Sequence, residues 1–95
     1  MDNVVITGMG IVSPIGCGEE AFWTSLCEGR SAAAPVDGLD CDELPRKIAC
    51  QVREPLNING PTGKPVLPIG RASKLAVRAG RDAVSSAGLA ADDLA

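Results

Sequence analysis

The chain has 95 residues, 45% of them hydrophobic and 22% charged, with a formal net charge of −3. This is the composition of one small globular domain, or one piece of a larger one, and it excludes a disordered, highly charged tail. The net negative charge, with one Trp, one Phe and no Tyr, argues against a nucleic-acid partner, which needs surplus Lys and Arg and, for single strands, stacking aromatics.

Asn3–Thr7 is β-branched, apolar and ended by Gly8, so the expected element is a buried strand. The first cation is Arg30, and the early apolar run is broken by Gly8, Gly10 and Pro14. It is read as neither a signal peptide nor a membrane span, and the expected compartment is cytoplasmic and reducing. Residues 8–17 are a turn-rich loop in which Pro14 forbids a helix directly behind Gly10. A helix is expected over Glu19–Glu28, with Phe22, Trp23, Leu26 and Cys27 on its packed face. Glu19 and Glu20 favour its N-terminal dipole end, and Gly29 stops it. Residues 30–45 are irregular, and Lys47–Val52 is a short strand. Residues 53–68, with Pro55, Gly60, Pro61, Gly63, Pro65 and Pro68, exclude regular structure. Such a long loop signals function or a larger context.

The strongest helix signal runs from Arg71 to Ala87. Ala72, Leu75, Ala76, Ala79, Ala83 and Val84 form one face, whose small alanines let a neighbour approach closely. Arg71, Lys74, Arg78 and Arg81 form another, and Gly88 caps the end. Strand, helix, strand, helix is an α/β order. One or two strands cannot cover these apolar helix faces, so the chain reads as an opening whose continuation lies elsewhere.

The cysteines are Cys17, Cys27, Cys41 and Cys50; no pair has CxxC spacing and the chain has no His. No metal site is expected. The thiols are expected to be reduced and structural, with disulfides as the alternative for an exported chain. Cys27 and Cys50 are expected as packed or half-packed small hydrophobes, and Cys17 as the more exposed of two loop thiols. The glycine loop invites a nucleotide reading but does not fit one. A Rossmann fingerprint needs a third glycine where Ser13 stands, and Pro14 blocks the phosphate-binding helix. A P-loop needs Lys and a hydroxyl residue where Gly16 is followed by Cys17. No cofactor is expected. Gly8, Gly10, Pro14 and Gly16 are expected to be structural, turning the chain against a neighbouring segment.

The pieces Thr7-Gly8-Met9-Gly10, Ser13-Pro14-Ile15-Gly16, Phe22-Trp23, Leu26 and Gly29-Arg30-Ser31 resemble, in order and spacing, the N-terminus of the β-ketoacyl-acyl-carrier-protein synthases of fatty-acid and polyketide synthesis. "LPRKIACQV" resembles a strand that often reads PxxIAGEV in that family, and "GRASKLAVRAGRDAVSSAGL" resembles its first long helix. The chain departs from the pattern at Gly70, where the family has a capping Asp, at Cys50-Gln51 for Gly-Glu, and at Ala32-Ala33 for Gly-Ile.

The resemblance implies a thiolase-like fold, of which residues 1–95 would be the N-terminal part of the N-terminal domain. It also implies decarboxylative condensation of an acyl thioester with malonyl-acyl-carrier protein, by a cysteine nucleophile and two histidines. This chain carries no such set, so no catalytic residue is assigned in it. The partners implied are an acyl carrier protein and a second subunit, identical or not. Lys64 and Arg71 are the carrier-contact candidates; the alternative for the basic stripe is a solvated helix face with Arg78–Asp82 as an i,i+4 pair. A non-catalytic module that binds a carrier protein or a synthase subunit is the alternative function.

Overall fold

The computed structural model describes residues 2–56 and 70–94. Two antiparallel hairpins alternate with two helices. Strands β1 (Val12–Ser13) and β2 (Gly16–Cys17) form the first hairpin, followed by helix α1 (Glu19–Glu28). Strands β3 (Ala33–Pro35) and β4 (Ile48–Cys50) form the second, followed by helix α2 (Arg71–Ser86); a 3₁₀ turn (Ala91–Leu94) ends the described residues. This mixed α/β order contains the expected helices and a shorter form of the expected second strand. β3 falls within the segment expected to be irregular.

Helix α1 begins with Glu19 and Glu20 in its first turn, which suits the positive end of the dipole. Gly29, at φ 69°, ends it in a Schellman arrangement: Gly29 N–H donates to Leu26 O (3.1 Å) and Arg30 N–H to Ser25 O (3.0 Å). Its packed side is not the expected one. Ser25 is buried and Phe22 half-buried, whereas Trp23, Leu26 and Cys27 are exposed.

The β3–β4 ladder pairs Ala33 with Cys50, Ala34 with Ala49 and Pro35 with Ile48. Alternation then decides burial. Ala34 and Ala49 face inward, while Ile48 and Cys50 share the exposed face, so Cys50 is not the packed hydrophobe expected.

Helix α2 starts at Gly70, which makes no side-chain capping bond, as the missing Asp foreshadows. Among the described residues nothing crowds a Cβ placed on Gly70, so Gly70→Asp is expected to raise stability by a few tenths of a kcal/mol, read as slower amide exchange in the first turn. Leu75, Ala79, Ala83 and Val84 are half-buried, but Ala72 and Ala76 are exposed.

The expected buried strand at Asn3–Thr7 is not formed. No described strand pairs with it, and Val4, Val5 and Ile6 are 99%, 70% and 89% exposed. A strand requires a neighbour for its main-chain groups, and none stands beside this one among the described residues. The same shortfall shows in area. The chain exposes 7584 Å², against about 5,100 Å² for a folded monomer of this mass. Among the described residues, hydrophobic faces therefore exist in the right periodicities but lack the layers that would close a core over them.

Candidate functional site

Gly8 and Gly10 pack closely against α2. Their backbone lies directly on the alanine face of α2. A Cβ on Gly8 would sit 2.7 Å from Ala83 O, and one on Gly10 would sit 2.7 Å from Ala83 N and 2.8 Å from Ala79 C. Only a residue without a side chain can come so close to a helix backbone. Alanine at 79, 83 and 87, one turn apart, keeps the helix surface flat beneath the glycines.

The chain then turns through Pro14-Ile15 between β1 and β2, with Val12 opposite Cys17 and Ser13 opposite Gly16. The Ser13 hydroxyl donates to Gly16 O at 2.7 Å and Gly18 N–H to Ile11 O at 2.9 Å. Gly16 has φ 153°, and a Cβ there would press on Ala21 at 3.0 Å, which seats the hairpin on the first turn of α1.

Polar links among the described residues hold α2 to the remaining elements. Ser86 Oγ donates to Glu19 Oε1 (2.9 Å) and accepts from Met9 N–H (3.4 Å), joining the end of α2 to the start of α1. Arg78 donates from Nε to Asp82 Oδ2 (3.0 Å) and faces Glu54 Oε1 at 3.8 Å from Nη2. The hydrogen bond to Asp82 holds the Arg78 guanidinium above its usual range. Arg71 donates from Nη2 to Val52 O, tying the start of α2 to the segment after β4.

Cys17 belongs to the Arg78 cluster. Burial, and then a hydrogen bond to Glu54, push its thiol above the ordinary value of 9.0. Cys17 is half-buried, whereas Cys27 and Cys50 are exposed, which reverses the order expected of the thiols. Alkylation by iodoacetamide at pH 8 is therefore expected to modify Cys27 and Cys50 first and Cys17 several-fold more slowly, because the thiolate is the reactive form. Stability follows the same sign. A thiol pKa raised by folding stabilises the fold below about pH 9, and that contribution fades as pH climbs through the folded value.

The second hairpin ends in a polar knot. Asp37 N–H donates to Gln51 Oε1 (2.9 Å) and Gln51 Nε2 donates to Asp37 O (3.0 Å). Arg53 donates to Pro35 O (3.0 Å) and lies 3.4 Å from Asp37 Oδ2. This knot borders an open depression of about 810 Å³ that Arg71 and Leu75 also line.

Of the carrier-contact candidates, Arg71 is exposed at this rim, and Lys64 lies outside the described residues. Gly8 and Gly10 meet α2, while Pro14 and Gly16 shape the hairpin. Sequence reasoning missed Glu54, Gln51 and Ser86. Glu54 stands in no motif, Gln51 and Ser86 stand in motifs that do not reveal their bonding, and each acquires its role from a partner far along the chain. No cluster of metal-ligating side chains occurs among the described residues, and none of their helices is long and apolar enough to cross a membrane.

Comparison with known proteins assigns this architecture. Residues 1–95 match the family model for the β-ketoacyl synthase N-terminal domain. The chain is 50% identical to 3-oxoacyl-[acyl-carrier-protein] synthase 2 of Rhizobium meliloti over 52 residues, which is 55% of this chain and 12% of that protein. It is 33% identical to the chloroplastic 3-oxoacyl-[acyl-carrier-protein] synthase I of Hordeum vulgare over 89 residues, 94% of this chain and 19% of the relative. Relatives named for polyketides from Streptomyces are similar as well. Among solved structures, the ishigamide ketosynthase/chain length factor matches at TM-score 0.77 and 35% identity, over 94% of this chain and 22% of the matched one. The matched stretches thus span between 12% and 22% of the length of these proteins. By its motifs, its helix order and these matches, the chain belongs to the β-ketoacyl synthase family.

Proposed function

We propose that these residues are the N-terminal portion of a β-ketoacyl-acyl-carrier-protein synthase, contributing scaffold and no reacting group. The observation that carries this reading is the seating of Gly8 and Gly10 on Ala79 and Ala83. Family motif residues are used there to dock the N-terminal segment on a helix. In the complete enzyme, an acyl group would pass from a carrier-protein thioester to a cysteine. Malonyl-carrier protein would lose CO₂, and the resulting carbanion would attack the acyl-enzyme carbonyl, releasing the cysteine thiolate. The nucleophile and the two histidines would come from residues outside these 95, which hold no histidine and are expected to be inactive alone. Arg71 and Lys64 would receive the acidic carrier protein.

The test is co-expression with the complementary portion of a 3-oxoacyl-acyl-carrier-protein synthase, assayed with acyl- and malonyl-carrier protein. Turnover is expected only when both pieces are present; a purified complex without turnover would refute the enzymatic reading. In the active complex, Arg71→Ala is expected to raise KM for carrier-borne substrate several-fold and to leave a free pantetheine thioester unaffected. Equal loss with both substrates would assign Arg71 to structure alone, through its bond to Val52. A second reading, a non-catalytic subunit partner, draws on the matched assembly being a ketosynthase paired with a chain length factor, and it predicts binding without turnover.

A further inference from the structure

We draw no further inference here: the strongest candidate, the open depression beside the second hairpin that Cys50, Arg53 and Arg71 line, belongs at its Arg71 rim to the carrier contact already proposed, its other guanidinium is engaged by Asp37 and Pro35, and nothing in the structure shows what covers the rest.

Discussion

Gly10→Val is expected to lift α2 from the N-terminal segment, speeding amide exchange across Ala79–Ala87 by on the order of a hundredfold. The size of the effect follows from what the new side chain would meet. The nearest atoms at Gly10 are the backbone of Ala79 and the Ala83 nitrogen at 2.7 Å. Side chains can rotate away from an intruder, but a helix backbone can only translate. Relief therefore requires the helix to move by an ångström or more, with loss of the Met9–Ser86 and Ser86–Glu19 bonds at its far end. Overpacking in a well-filled contact costs about 1–3 kcal/mol, and a backbone neighbour places this site at the upper end. Two controls make the argument specific. Gly10→Ala should already produce most of the loss, because the clash begins at Cβ. Ala79→Gly should not rescue it, because the obstacle is main chain. Rescue by Ala79→Gly, or tolerance of Gly10→Ala, would show that the glycine serves turn geometry alone.

What could be read from the sequence divides by the range of the forces involved. Helix α1 was legible to the residue, because acidic residues in its first turn and a glycine stop are local signals. For α2 the start at Arg71 was equally legible and the end was legible to within one residue, Ser86 against the expected Ala87, and so was the Arg78–Asp82 link, which needs only a four-residue spacing. The alanine face foretold close approach, and the glycines that approach it lie 69 or more residues away.

Burial was not legible. Periodicity identifies an apolar face, but a second layer must exist for that face to be buried. Val4, Ile6, Trp23 and Leu26 carry the correct pattern and remain exposed. Cys50 failed for a related reason. Its burial depended on which face of β4 turns inward, and the pairing of Ala34 with Ala49 decides that. The Cys17–Glu54–Arg78 cluster was hidden because Glu54 sits in a proline-rich segment with no periodicity, and only the fold brings it to the hairpin.

Gly88→Val is expected to unravel the last turn of α2, with amide exchange at Ala87–Leu89 faster by about tenfold and little change near Ala79. Here the physics is conformational and not steric. Among the described residues, nothing beyond its chain neighbours lies within 4 Å of a Cβ placed on Gly88, yet its φ is 71°. That left-handed conformation closes a Schellman motif, with Gly88 N–H donating to Ser85 O at 3.1 Å and Leu89 N–H to Val84 O at 3.2 Å. A side chain in this region costs about 1–2 kcal/mol, and a β-branched one sits at the upper end. Asparagine tolerates the region better, so Gly88→Asn should recover much of the protection that Gly88→Val loses. At Gly10 no such ranking is expected, because Asn adds the same offending Cβ. A preference for Asn at 88 but not at 10 would separate the two roles of glycine in this chain. Equal sensitivity to Asn at both positions would mean that Gly88, too, is held by contact with something packed against the end of α2.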